Sequence, residues 1–548
     1  MDRKVCVRSY RLMAALAGAL VCGSAFGQVV VQPSATAGAA DIAAYSSRDF
    51  PRLKTTIPLG EAVRRALSAN ANVVIQQLQI RAEEGNVQQS RGVYDAEGTA
   101  AIGREHVARP LRNTESGPLN AAGLQDRAEY TNTTAYRAGV TKLLPSGAQL
   151  EAGVTFNALA STLTPPQQTT GNLRFALRIP LLRNAGGIQQ SSALQARELE
   201  RDASMEDLVQ TSATTVVGVV QAYWELAGRI KRVEILKASE KRAEELAGEI
   251  GKLVAADQIP GAELDLAQAS AAEKRAARLF EEQSFQAAWN TLGRLLHNDT
   301  GDLPSDALSL DNLPAVDERA FALAEAGLSR RATAAERRAD VRAARLRERS
   351  AYLQKAAAQD GVKPQVDLIA SVGTNGLAEG SSALAVGPAL GWGRPLATAG
   401  IGVELRFPFE NNAARGLVVT RTSAHDQSVV RMRDAERNAV PLVVTAAAAL
   451  RRIALRYRDT LAAATRYETA VKNEYVKRRL GLSTLIDVIN VQDRLDTSQL
   501  LLLQLRQEYA VAIAQLQFEN GDLIGREPDG FQVDVPILTG ANPGRVAR

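Results

Sequence analysis

Arg478–Leu495 reads RRLGLSTLIDVINVQDRL. A basic helix end runs into Gly481, a residue suited to the left-handed position that closes a helix. Ser483 or Thr484 can cap the helix that follows. Thr484 and Asp487 have capping-box spacing, which sets a carboxylate at the positive end of the new helix. Beyond the turn, Leu485, Val488, Val491 and Leu495 recur at steps of three and four, so one apolar stripe runs down that helix. The stretch therefore predicts a helical hairpin.

A second, less regular hairpin lies upstream. Pro180 opens a helical region predicted to run to about Gln258, with a seam of Val216, Val219, Tyr223, Leu226, Ile230 and Val233. The chain turns at Gln258-Ile259-Pro260-Gly261, and Asp265–Leu296 runs back. A helix of about 75 residues is on the order of 110 Å long, far more than a bilayer, and needs partners along its length. The two hairpins belong to an internal duplication. Asn72-Val73 matches Asp340-Val341 at an offset of 268, and LRIPL at 177–181 matches LRFPF at 405–409 at an offset of 228. The first copy thus holds 40 extra residues, roughly 109–160, that alternate around Pro145-Ser146-Gly147. This predicts one additional pair of strands there. Leu59–Ala66 and Val73–Val87 read as helix at the start of the first copy, with Asn70-Ala71-Asn72 between them. Pro441 inside the second long helix predicts a kink without a counterpart at Ala213.

The chain of 548 residues is 23% charged and 45% hydrophobic but only 5% aromatic, which favours long helices over one large core. A formal net charge of +5, spread along the chain, gives no argument for nucleic acid. The first 27 residues read as a signal peptide: Arg3, Lys4, Arg8 and Arg11, an apolar Leu12–Gly23, then Ala25-Phe26-Gly27. Both cysteines, Cys6 and Cys22, leave with it, so the exported protein has no thiol chemistry; lipidation at Cys22 is disfavoured by the residues before it. No other stretch holds about 18 uninterrupted apolar residues, the longest apolar run lying around Pro441–Leu450, so a membrane would be spanned by strands.

The strands have two faces. Leu173, Phe175, Leu177 and Ile179 oppose Asn172, Arg174, Ala176 and Arg178; Ile401, Val403, Leu405 and Phe407 oppose Gly402, Glu404 and Arg406. Lipid outside and a wet lumen inside produce this pattern. A soluble half-buried sheet alternates identically. The export signal and the duplicated long helices favour the barrel. A few strands cannot close one, and open edges in lipid cost several kcal/mol per unpaired group, so the barrel must be shared between copies.

GLSTLIDVINVQDRL at 481–495 resembles the hairpin segment of the TolC-like outer membrane efflux family, and the resemblance extends over about 55–525 through the duplication, AYWEL at 222–226 and IPGAELDLAQASA at 259–271. It implies an α+β fold, mainly long α-helices, in which a duplicated helix–strands–helix unit forms one third of a trimeric outer-membrane β-barrel and periplasmic α-helical barrel. It divides the chain into a signal peptide (1–27), a leader (28–55), a first repeat (56–300, strands about 95–181), a linker or equatorial segment (301–335), a second repeat (336–525, strands about 364–408) and a tail (526–548). The implied function is a passive exit duct of a tripartite efflux system in the outer membrane of a Gram-negative bacterium. The implied partners are two sister chains, outer membrane lipid, a periplasmic adaptor (membrane fusion) protein and an inner-membrane pump of RND or ABC type. An exit duct for type I protein secretion and a periplasmic coiled-coil scaffold without a pore are the alternatives. Four strands per chain give the family barrel; six give a wider one.

By motif match the resemblance places gate candidates at Asp487 and Asn490 in the second hairpin and at Asp265 and Gln268 in the first, with Gly481, Pro260 and Gly261 at the turns. Arg478 and Arg479 are possible tethers of a closed mouth, or a solvated basic face. A helix-capping acid at a surface turn is the plain alternative for each carboxylate. His106, His297 and His425 are scattered without metal spacing, and no nucleophile motif appears, so neither an enzyme nor a cofactor is expected.

Overall fold

The computed structural model describes residues 56–112, 128–162, 166–296, 309–380, 389–390, 396–527, 530–533 and 538. The signal peptide, the leader, 381–388 and 391–395, the start of the linker and most of the tail lie outside the described residues. In order the elements are β1 (Thr56–Ile57), α1 (Leu59–Ala69), α2 (Ala71–Arg91), β2 (Ala96–Pro110), β3 (Ala128–Leu143), β4 (Gln149–Ser161), β5 (Gln168–Pro180), α3 (Ile188–Ala255), α4 (Gly261–Leu295), β6 (Ser309–Leu310), α5 (Arg319–Ser329), α6 (Ala334–Arg337), α7 (Ala339–Gly361), β7 (Gln365–Glu379), β8 (Leu396–Arg406), α8 (Asn412–Arg479), α9 (Leu485–Asn520), β9 (Gly525–Glu527) and β10 (Gly530–Gln532). Mostly helix with one large antiparallel sheet, this is the α+β class.

The long helices α3 and α8 are each 68 residues, on the order of 100 Å. They correspond at an offset of 412 − 188 = 224, not 228. The difference lies in the connection. Pro180 is the last residue of β5 rather than the first of a helix, and α3 begins only at Ile188. Asn184, Gly186 and Gly187 take positive φ between them, and the Asn184 Oδ1 accepts the Gln189 N–H at 3.0 Å, which sets the helix entry. After Pro408 the second copy needs only a short turn through Asn411, at φ +52. With the helices so aligned, Val217 rather than Ala213 stands where the second copy has Pro441, and α8 runs through Pro441 without interruption.

The sheet has the order β2-β3-β4-β5-β7-β8, antiparallel throughout. The first copy supplies four strands and the second two, the extra pair being β3 and β4. Their turn is Pro145-Ser146-Gly147, with Gly147 at φ +83 and its N–H on the Leu144 carbonyl at 2.9 Å. A Cβ on Gly147 would lie 2.8 Å from the Asn184 carbonyl oxygen, so only glycine lets this turn seat on the β5–α3 connection.

The chain folds into two compact units. One, drawn from Met1–Leu78, Gly218–Leu313 and Tyr467–Leu503, contains the two hairpin ends. In it β1 pairs in parallel with β6, and the buried Tyr223 hydroxyl donates to the Ile57 carbonyl and accepts the Asp311 N–H, both at 2.8 Å. Tyr223 and Trp224 are fully buried and meet edge to face, so they pack rather than bind. The other unit, drawn from Gln79–Val217, Pro314–Arg466 and Gln504–Arg548, contains the sheet. Its helical core joins Leu323 of α5, Leu450 of α8 and Tyr509, Ile513 and Leu516 of α9. Among the described residues α8 alone contains an 18-residue window apolar enough to cross a membrane by length and composition, although its apolar run is interrupted at Arg451 and Arg452. Its Ala446, Ala447 and Leu450 are buried in that core, which accounts for part of the apolar run near Pro441.

Candidate functional site

The two hairpin ends are built on one plan. α8 closes with Gly481 at φ +70, the Leu482 N–H reaching back to the Lys477 carbonyl at 2.9 Å. α3 closes the same way, the Gln258 N–H on the Leu253 carbonyl at 3.0 Å. The left-handed residue there is Asp257, at φ +54, ahead of the Pro260 and Gly261 expected at the turn. Aspartate tolerates this conformation better than most residues, and it stands 224 positions before Gly481. Pro260 and Gly261 instead begin the returning helix, Pro260 as N-cap with extended φ/ψ and Gly261 as the first helical residue.

Thr484 is the N-cap of α9. Its amide and hydroxyl both reach Asp487 Oδ2, at 3.1 and 2.5 Å, and its Oγ1 accepts the Asp487 N–H at 3.3 Å. These bonds hold the Asp487 carboxyl below the ordinary aspartate range. Asp487 is exposed, so it is both the capping acid and a charge in water. At the offset of 224 its counterpart is Glu263, in the first turn of α4, with Asp265 two residues further on. Glu263 was not singled out from the sequence, because matching IPGAELDL by motif displaced the register by two. Pro260 has no N–H, so Glu263 cannot form the reciprocal box. Asn490, Asp265 and Gln268 are all exposed. Arg479 is exposed and Arg478 partly so, and within the chain neither pairs with Asp487 or Asp265. Both sit in the last turn of α8 with Lys477, where cations meet the negative helix end. Lys477 pairs with Glu474 at 3.1 Å, and Glu474 also accepts the Ser483 hydroxyl at 2.5 Å; the hydroxyl first, then the lysine, hold it below the ordinary glutamate range.

One apolar cluster brings the two ends together: Leu246 and Ile250 of α3, Ala267 of α4, and Leu485, Val488 and Ile489 of α9. Behind it lies a charged node that sequence reasoning missed. Asp496 of α9 accepts from Ser239 and Arg242 of α3 and from Lys274 of α4, the last two at 2.6 and 3.0 Å. Its side chain is 6% exposed. Asp493, one turn earlier, meets the same Lys274 Nζ at 2.6 Å. Burial works against the Lys274 charge, but the bonds to Asp493 and Asp496 outweigh it and hold the ammonium above the ordinary lysine value. The only sequence trace of this node is two aspartates three apart on a helix.

Solved structures of outer membrane proteins, several of them channels, share this fold. The outer-membrane channel OprN aligns at a TM-score of 0.61 with 14% identity, over 85% of this chain and 90% of that one. VceC, an outer membrane protein of Vibrio cholerae, aligns at 0.58 with 17% identity, over 84% of this chain and 96% of that one. The open state of the MtrE outer membrane channel of Neisseria gonorrhoeae aligns at 0.56 with 15% identity, over 84% and 88%. No family model matches the chain, and no curated protein matches its sequence. The chain has the TolC-like outer-membrane-channel fold. At these identities the likeness speaks for the fold alone.

Proposed function

We propose that this chain is one third of an outer membrane exit duct. It works as a passive conduit of a tripartite efflux system, closed and opened at the hairpin ends. The observation that carries the reading is the sheet. One face of the ladder holds Val140, Leu150, Phe175, Val372 and Ile401, all exposed in the single chain, with the half-buried Leu177 beside them. The other face holds Thr141, Glu151, Arg174, Asn172, Ser371 and Asn375. Apolar side chains face lipid and polar ones a wet lumen. β2 and β8 are edges with no further partner among the described residues. In lipid such edges must pair, and sister copies are the partners that repeat the same geometry. A trimer also covers the apolar residues that α8 leaves exposed, such as Leu417, Val419 and Val430.

In a three-fold assembly Asp487, with Glu263 and Asp265 of the other hairpin, supplies a ring of carboxylates at the narrow end, and such a ring favours cations. The adaptor and the inner-membrane pump meet the duct at these hairpin ends. Planar-bilayer recording tests the reading. The purified protein forms cation-selective pores, and Asp487→Ala lowers the selectivity. Absence of any pore would leave a periplasmic scaffold as the function.

A further inference from the structure

We propose that the β3–β4 hairpin is part of the barrel wall, so that three copies close a barrel of eighteen strands whose lumen is wider than the four-stranded plan of the family allows. The inference rests on the duct reading above and adds the width of its outer section.

Three observations carry it. First, the hairpin lies inside the sheet. β3 pairs with β2 from Ala96↔Lys142 to Pro110↔Ala128, and β4 pairs with β5 from Gln149↔Arg178 to Leu159↔Gln168. Lifting the hairpin out as a plug or an external flap would break both ladders and leave β2 with no partner among the described residues. Second, the apolar face continues into the hairpin over Tyr136, Ala138 and Val140 of β3 and Ala152, Val154 and Phe156 of β4, with Lys142 bounding it at one end and Thr134 and Asn132 at the other. One rung across all six strands is Gly98, Val140, Ala152, Phe175, Val372 and Ala399, apolar throughout. The neighbouring rung is Glu97, Thr141, Glu151, Ala176, Ser371 and Gly400. A plug or a solvated flap has no reason to keep an uncovered apolar face in register with the strands beside it. Third, the turn at Pro145–Gly147 is seated on the β5–α3 connection, where any Cβ at Gly147 would strike backbone. That contact fixes the hairpin at the end of the sheet from which the helices leave. β3 with 16 residues and β4 with 13 are also long enough to cross a bilayer at the usual tilt, which takes about 9–11.

Three copies of six strands make eighteen. At equal tilt, barrel diameter grows about linearly with strand number, so the wall is about half again as wide as with twelve, and its cross-section is about doubled. Barrels of this size leave an open aqueous channel rather than a lumen filled by side chains. The outer section then admits bulkier solutes than a twelve-stranded wall would.

Electron cryomicroscopy of the full chain in lipid nanodiscs counts the strands directly. Eighteen strands around three chains are expected. Three chains around a twelve-stranded ring, with 128–161 outside it, would overturn the inference and leave the duct reading standing. An isolated chain with no ring would overturn the duct reading itself. Single-cysteine variants of the leaderless chain give a second readout. Thr141→Cys reacts with a membrane-impermeant maleimide, whereas Val140→Cys, on the lipid face, does not; equal reaction at both argues against the wall. Excising 113–165 joins β2 to β5 in their antiparallel sense. The trimer is retained, and the largest polyethylene glycol that enters from the outer side shrinks in radius by about a third. An unchanged limit in a folded trimer would place the hairpin outside the wall.

Discussion

Removing the Asp496 carboxylate tests whether the charged node behind the hairpin ends holds α3, α4 and α9 together. The side chain is 6% exposed and receives three donors. In Asp496→Ala the buried Ser239 hydroxyl loses its acceptor and Arg242 loses its acid, while Lys274 keeps Asp493. Breaking a buried pair from one side costs about 3–5 kcal/mol. Arg242 is 34% exposed and can rehydrate in part, so the lower end applies, about 3 kcal/mol. Asp496→Asn keeps the shape and one acceptor oxygen and costs about half as much. Hydrogen exchange is the assay, since local opening is read where it occurs. Amides near Ser239, Lys274 and Asp496 should exchange about a hundredfold faster in Asp496→Ala, because each 1.4 kcal/mol is a factor of ten. Asp493→Ala is the control. That side chain is 49% exposed, and its loss should cost under about 1 kcal/mol. The Lys274 pKa lies above the ordinary value, so its contribution is fully present below that value and is lost only as pH rises through the raised one. The difference between wild type and variant should therefore hold from pH 6 to pH 9. Unchanged exchange, or an Asp493→Ala effect equal to that of Asp496→Ala, would refute the reasoning.

Tyr223→Phe leaves the Ile57 carbonyl and the Asp311 N–H unpaired and should loosen the β1–β6 pair by about 2–4 kcal/mol, seen as faster exchange at 57–59 and 309–311. Gly481→Ala should destabilise the second hairpin by about 1 kcal/mol through φ alone, because nothing lies within 4 Å of the new Cβ; Asp257→Gly should relieve the first by a similar amount, and thermal unfolding of the two variants should move in opposite directions. The Asp487 pKa is depressed, so its cap is present above the ordinary aspartate value and is lost as pH falls through the lowered one. Thr484→Ala removes the hydroxyl bond and should shift the loss of cation selectivity on acidification to higher pH in bilayer recordings.

The hairpin at 478–495 was legible because every local signal in it agrees: the glycine at the left-handed position, the cap, and the stripe of Leu485, Val488 and Leu495, all three buried. The extra strands were legible because two offsets in one duplication can differ only by an insertion. The first turn was misjudged where local signals conflict. Pro260-Gly261 looks like the turn itself, yet Asp257 takes the left-handed residue's place and the proline caps the next helix. That shift of register hid Glu263 behind Asp265. The start of α3 was placed eight residues early because Pro180 suits either a strand end or a first helical turn. The Asp496 node was not legible at all, since its members come from three helices and meet only through tertiary packing.

Copies of this chain are expected to complete one another at the sheet edges. Light scattering of the leaderless protein in detergent gives the number of chains per particle directly. Three chains in a particle that inserts into liposomes are expected. A water-soluble monomer that binds neither detergent nor lipid would contradict the claim that β2 and β8 are edges waiting for a sister strand.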